Sequence, residues 1–274
     1  MGTPSTSPPP VIPGTCAAFT PTTWSSAGSK AVRAEFGHNG GGTGQTHNLY
    51  IGNVRNLVFR YNFSHDANVG HNLKSRARIN KILYNRFSSR RRGEAGSTAA
   101  GLPSYEIDLS NAGTSYVIGN VLQQPASSNN PAMIAYGMDG ASNPTHDPYV
   151  VNNTFVNDDT ARGSFVLVGS GVTTPVLLQN NIFAGTGSVS NTAKLLQKTN
   201  YRNIAPGFVN RAVYDLRPLA PNALVIDAGS APGYSPMGVG LSPLAGYKHV
   251  ASGITRPASG ALDIGAYEAG SAPP

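Results

Sequence analysis

The sequence predicts an all-β chain, a right-handed single-stranded parallel β-helix of about five to six coils with irregular terminal caps. Three observations predict it. An Asn standing two residues before an apolar side chain recurs, as Asn85-Arg86-Phe87, Asn120-Val121-Leu122, Asn153-Thr154-Phe155 and Asn181-Ile182-Phe183, with looser copies at Asn62-Phe63-Ser64 and Asn203-Ile204-Ala205. Successive asparagines are 23, 35, 33, 28 and 22 residues apart, a period at which each unit buries its apolar face only against its neighbours. Short runs with alternate apolar residues precede each Asn, the period of a strand. Gly, Asn and Pro break these runs, and no helical periodicity lies between them.

Residues 1–46 are rich in Pro, Ser and Gly and read as an N-terminal segment and cap. Residues 1–13 have linker composition, with the natural start of the protein expected further upstream. The solenoid is expected over 47–204. About ten residues before each Asn comes one strand: His47 to Ile51, His71 to Arg76, Tyr105 to Ser110, Met133 to Gly137 and Ser164 to Val168. A second strand runs into the Asn, at Leu57-Val58-Phe59, Ile82-Leu83-Tyr84, Tyr116-Val117-Ile118, Tyr149-Val150-Val151 and Val176-Leu177-Leu178. Asn suits the bends because it tolerates left-handed backbone geometry and bonds nearby backbone groups, and stacked asparagines can bond one another as a ladder. At about 4.8 Å per coil the stack is short, and its open ends need covers. Residues 205–274, turn-rich and irregular, read as an extension packed on the helix.

The lone Cys16 excludes an intramolecular disulfide and a cysteine-based metal site. No stretch has the length and apolarity of a membrane span, and no basic-then-apolar segment opens the chain. The net charge is +7, and ten of the twenty basic residues fall within 55–92 beside one acid, Asp66. Such a run predicts a surface that attracts a polyanion. Nucleic acid is not the expected partner, because no binding module is recognisable and aromatics do not interleave with the basic residues. Other short patterns carry little: two Asn-X-Ser/Thr sequons fall on structural rungs, and the Gly-rich run at 37–44 lacks the Lys-Ser/Thr ending of a phosphate loop.

With Leu49, Leu73 and Ile107 pointing inward, strand alternation gives two outward columns. One holds Asn48, Asn72 and Glu106; the other holds Tyr50, Lys74 and Asp108, with Arg76 and Ser110 next along. Lys74 is thereby expected beside Tyr50 and Asp108. The parity of His71 matches that of His47 and turns it inward, toward a buried hydrogen-bonded stack.

The segment Gly70-His71-Asn72-Leu73-Lys74-Ser75-Arg76-Ala77 resembles the right-handed β-helix polysaccharide lyases of the alginate lyase and chondroitinase-B type, in which a Lys-Ser pair on a strand shortly precedes an Asn rung, as Lys74-Ser75 precedes Asn85. The segment Leu262-Asp263-Ile264-Gly265-Ala266-Tyr267-Glu268 is similar to the end of many secreted β-helix proteins. The likeness covers residues 40–205 as fold and 70–87 as chemistry. It implies β-elimination on a uronic-acid polymer, with Lys74 as base and Ca²⁺ or cationic side chains neutralising the sugar carboxylate. Glu106 and Asp108 would supply the Ca²⁺ oxygens. The lyase pattern has an Arg on the following coil, where this chain has Ser110, so the acid falls to Arg76, His71 or Tyr136. Tyr50, Asn72, Arg78 and the loop arginines Arg90, Arg91 and Arg92 are assigned to substrate binding, the last three as bidentate clamps.

Two other readings stay open. Glu106 and Asp108, two apart on a strand and so about 6.5–7 Å from each other, suit inverting glycoside hydrolysis. A non-catalytic glycan-binding or adhesion solenoid is the third. In the enzymatic readings the expected partner is an acidic polysaccharide substrate, and the chain is expected to be a secreted or periplasmic monomer.

Overall fold

The computed structural model describes residues 28–89 and 103–274. Three parallel sheets run the length of a β-helix, and the chain visits them in the same order in each coil. The first sheet has seven strands, Ser29–Val32, Asn56–Arg60, Ile79–Leu83, Thr114–Ile118, Pro148–Val151, Val176–Gln179 and Leu195–Lys198. The second has Glu35–Gly37, Phe63–His65, Arg86–Ser88, Val121–Gln124, Thr154–Asn157, Ile182–Ala184 and Tyr201–Asn203. The third has six, Tyr50–Ile51, Leu73–Ser75, Ile107–Leu109, Ala132–Tyr136, Ser164–Val168 and Ser188–Ser190. The sheets therefore begin at Ser29, inside the segment read as a cap, and the seventh coil stops after its second strand.

An asparagine ladder closes the bend between the first and second sheets. The side-chain amides of Asn62, Asn85, Asn120, Asn153 and Asn181 each donate to the next asparagine's Oδ1 at 2.9–3.2 Å, ending on Asn200. Each of those oxygens also accepts the backbone N–H of the preceding rung at 2.9 Å. The last rung is Asn200 rather than Asn203, which lies exposed on its strand. The template missed it because Arg202, not an apolar residue, stands two places on. The left-handed geometry also belongs elsewhere than expected. It is the residue before each rung that has positive φ: Tyr61 (58°), Tyr84 (55°), Gly119 (67°), Asn152 (51°), Asn180 (56°) and Thr199 (47°). Gly119 is constrained twice, since a Cβ there would lie 2.6 Å from the Tyr84 ring. The ladder asparagines are thus chosen for hydrogen bonding, because a sharp bend leaves N–H groups that no sheet can satisfy.

Between the sheets an apolar core runs up the axis, with Phe59 on Phe87 at 5.8 Å and Phe155 on Phe183 at 5.2 Å. The C-terminal extension lies along the sides of the stack. Phe208, Leu216, Val225, Ile264, Ala266 and Tyr267 cover Val121, Val156, Ile182 and Ala184 on the outer face of the second sheet. Leu241 covers Tyr116, Ile118 and Val151 on the first. Bonds from Leu244 N–H to Tyr84 Oη (2.9 Å) and from Ala266 N–H to Thr154 Oγ1 (3.0 Å) fasten it across several coils. Its own fold is held by a buried pair, Arg256 Nε to Glu268 Oε1 at 2.7 Å, with the guanidinium also donating to three backbone carbonyls. Among the described residues no helix is long and apolar enough to cross a membrane.

The ladder predicts unequal costs for two similar substitutions. Asn120→Ala orphans the buried backbone and amide donors of Asn85 and is expected to lose about 2–5 kcal/mol of stability; Asn203→Ala should stay within about 1 kcal/mol. Denaturant midpoints of the two variants check this.

Candidate functional site

The first and second sheets are covered in their middle coils by the extension, whereas a cleft of about 530 Å³ opens on the third. Along Leu73–Ser75 the alternation holds: Leu73 and Ser75 are buried, while Lys74 and Arg76 project outward. The pair register places Lys74 opposite Tyr50 and opposite Asp108, as the columns predicted. Lys74 Nζ donates to Asp108 Oδ2 at 2.7 Å and to Asp139 Oδ2 at 3.1 Å. Arg76 reaches three groups: Nε donates to Tyr50 Oη at 2.9 Å, Nη2 to Asp139 Oδ2 at 2.7 Å, and Nη1 to Asn111 Oδ1. Ser110, in the column beside Arg76, donates to Asp108 Oδ2 at 2.8 Å. One exposed carboxylate, Asp139, therefore sits between two cations.

One wall of the cleft is a stack of three rings from successive coils, His47 on His71 at 4.5 Å and His71 on Tyr105 at 4.9 Å. His71 Nδ1 accepts the Tyr105 N–H at 3.2 Å, which assigns the proton of the neutral ring to Nε2, 3.5 Å from Asp108 Oδ2. Burial, then the charge of Lys74, pushes His71 down to about 3. The ring is thus neutral across the physiological range and sits in the hydrogen-bonded stack that its parity predicted, which leaves it poorly suited to serve as the acid. At Asp139 burial raises the pKa, but the hydrogen bond and charge of Lys74, followed by Arg76, outweigh it and hold the carboxyl below its ordinary value.

Other expected site residues lie elsewhere. Asn72 and Glu106 do not face outward. They form an interior ladder with Asn48, in which Asn48 Nδ2 donates to Asn72 Oδ1 at 2.8 Å and Asn72 Nδ2 donates to Glu106 Oε2. The three precede the strands proper, at a bend where pleat parity no longer applies. Glu106 is fully buried, and burial raises its carboxyl to about 8 against the opposing bonds from Asn72 and Ser89. It cannot join Asp108 in a Ca²⁺ site or in a hydrolytic pair, and an ammonium already lies 2.7 Å from Asp108 where an ion's charge would be. The donor set does not fit Ca²⁺. Tyr136 is also interior: its register with Leu109 turns it inward, its hydroxyl donates to Gly113 O at 2.6 Å, and burial drives its pKa up. Ser75 is structural, donating to Asn80 Oδ1 at 2.7 Å. Arg78 is exposed at the turn into the first sheet and does not line the cleft. Arg90, Arg91 and Arg92 lie outside the described residues.

The basic run does not make one patch either. Lys81 projects from the first sheet, paired with Val58 and Tyr116. Arg86 lies on the second, over the rings of Phe63 and Tyr214 at 5.1 and 4.2 Å. What sequence reasoning missed is Asp139 as the partner of both cations, together with Tyr105, Asn111 and the cleft-lining edge of His47. Asp139 N–H bonds Ser110 O at 3.0 Å, so the coil register continued past Tyr136 would have found it. Among the described residues one group of metal-capable side chains lies together, at His38, His65 and Asp66 by the second sheet. Comparison with protein-family models, curated proteins and solved structures finds no match to the chain.

Two outcomes test this geometry. Asp139→Asn frees both cations from a carboxylate whose side chain is 41% exposed, and a small monocarboxylate titrated by NMR should bind roughly five- to thirtyfold more tightly, the worth of two half-exposed ion pairs. For Glu106, whose ordinary value is 4.5, the raised folded-state pKa means that the folded chain keeps a proton the unfolded chain has released. Stability should then fall as pH rises from 4.5 to about 8, by up to about 1.4 kcal/mol per pH unit. Denaturant midpoints for Glu106→Gln should lack that slope.

Proposed function

We propose that the cleft binds a uronic-acid-containing polysaccharide and cleaves it by β-elimination, as a carbon–oxygen lyase. The observation that carries this reading is the Asp139 carboxylate, held 3.1 Å from Lys74 Nζ and 2.7 Å from Arg76 Nη2. It marks a carboxylate-binding position built from two cations, filled by the chain itself from an exposed residue. A uronate entering the cleft takes Asp139's place, and Lys74 and Arg76 neutralise its charge, which acidifies the C5–H bond. Arg's planar fork suits that task.

Lys74 Nζ donates to both carboxylates and is a neutralising donor in this scheme, in place of the base implied by the resemblance. The base is Tyr50. Arg76 Nε already donates to its oxygen, a bond that strengthens on the phenolate. Once Tyr50 has given its own proton to solvent, its oxygen takes the C5 proton, the C–H electron pair forms the C4–C5 double bond, and the C4–O glycosidic bond breaks. The Tyr50 hydroxyl so formed returns the proton to the departing oxygen, and the phenolate is restored. Ser110 Oγ, donating at 2.8 Å, holds Asp108 in place behind Lys74. A specific observation also favours a second reading. Asp108 and Asp139 flank Lys74 Nζ at 2.7 and 3.1 Å, and they are the pair a hydrolase would use once Glu106 is removed from it.

Incubation with a panel of uronate polymers, followed at the absorbance of the unsaturated product, tests the proposal. Turnover is expected, with Tyr50→Phe lowering kcat about 10²–10⁴-fold and Arg76→Ala raising KM. A chelator should leave the rate unchanged. New reducing ends without absorbance would establish hydrolysis, and binding without any product would make the protein a glycan-binding solenoid.

A further inference from the structure

On the second sheet Glu35–Gly37 pairs with Phe63–His65, with Gly37 opposite His65. The residues that follow, His38 and Asp66, occupy equivalent places in adjacent coils, and both have left-handed backbone, at φ 61° and 50°. Glycine takes that geometry most cheaply, yet a ligand-capable side chain stands at both. Gly37, opposite His65, has no side chain, and a Cβ there would lie 2.6 Å from the His65 ring. His65 is fixed by stacking on Phe63 at 4.1 Å, and His38 meets it edge-on at 4.9 Å. Glu35 Oε1 lies 3.0 Å from His65 Nε2, and Asp66 Oδ2 lies 3.0 Å from His65 Nδ1.

That is the arrangement of a metal-ligating histidine: a carboxylate takes the proton of one ring nitrogen and leaves the other to ligate. With Glu35 on Nε2, the Nδ1 lone pair points toward Asp66. One ligand atom from each of His38, His65 and Asp66 lies within 4.8 Å of the other two. A tetrahedral zinc-type site has ligand–ligand edges of about 3.4 Å. The Nδ1–Oδ2 edge, at 3.0 Å, would open slightly, and a rotation of the exposed His38 would close the others. The group borders a cleft of about 410 Å³ that Arg86, Ser88, Tyr214 and His249 also line.

We propose that His38, His65 Nδ1 and Asp66 bind a divalent transition-metal ion, with Glu35 orienting His65 and the remaining coordination position open to this second cleft. Two imidazoles with one carboxylate favour Zn²⁺, Co²⁺ or Ni²⁺ over Ca²⁺ or Mg²⁺. The site is separate from Lys74 and Arg76, and the inference stands whether or not the chain is a lyase.

Titration of the full chain with Co²⁺, read by visible d–d absorption, and with Zn²⁺, read by calorimetry, tests it. One ion per chain is expected. His38→Ala and Asp66→Asn should each remove saturable binding, while Glu35→Gln should weaken it about ten- to hundredfold, the usual effect of losing a carboxylate behind a ligand. His146→Ala should change nothing. Because Asp66 is buried and its variant could misfold, thermal unfolding supplies a second measure: Zn²⁺ should raise the wild-type midpoint, a chelator should reverse the rise, and exposed His38→Ala should lack it. A wild type without cobalt bands or a zinc-dependent shift would overturn the proposal and leave His65 as a ring bracketed by the Glu35 and Asp66 carboxylates. Binding unchanged in His38→Ala and Asp66→Asn would overturn it equally.

Discussion

In each complete rung of the solenoid, the carboxamide of one asparagine accepts a backbone N–H and a side-chain N–H from the coil before and donates to a backbone carbonyl there and to the next asparagine. Every polar atom of the side chain is used, and every bond runs along the axis of the stack. Without it, a chain turning sharply into a dry interior would leave buried donors unpaired, each at a cost comparable to a lost hydrogen bond. Because the rung residue fixes the bend, it also fixes the phase of the strands on either side. The alignment of Tyr50, Lys74 and Asp108 on a different sheet follows from that phase.

The cleft shows the same economy with charge. Lys74, Arg76, Asp108 and Asp139 neutralise one another, and Tyr50, Ser110 and Asn111 add further hydrogen bonds, with Asp108 Oδ1 left buried and unpartnered. Inner and outer parts of this network differ in what holds them. Asp108 is buried and takes bonds from Lys74 and Ser110 on one oxygen, while the carboxylate of Asp139 is exposed and bonded through the two cations. An anion entering the cleft would compete with the second kind of contact and leave the first intact, so the cations would stay in place while their partner changed.

The repeat and its strand positions were legible because apolar alternation and an interior amide are local demands that each coil must meet alone. The neighbours of Lys74 were legible for the same reason: once Leu73 faces inward, parity and a parallel register allow no other placement. Parity failed at Asn72 and Glu106, which belong to a bend before the strand, and there a side chain's direction depends on the turn. It also failed to place Asp139, because a loop delivers that residue. The basic run misled for a geometric reason. Fewer than forty residues carry the chain around more than one coil, so neighbours in sequence such as Lys74, Lys81 and Arg86 leave on three different faces. Asn200 was hidden because the last coil relaxes the apolar requirement, with Arg202 where a core residue stands in the coils before it.

A stack whose units touch only their neighbours has the energetics of a one-dimensional array, in which a terminal unit can melt without disturbing the rest. The C-terminal extension changes that arithmetic. Its contacts join residues 112 apart at Thr154 and Ala266, 119 apart at Tyr116 and Ser235 and 160 apart at Tyr84 and Leu244. These are couplings in parallel to the coil-by-coil series. Fraying that reached the middle coils would have to strip the strap from several of them at once, so the protein should behave as one cooperative unit where the bare solenoid would have unzipped. The extension would then be what turns a chain of local equilibria into a single folding transition.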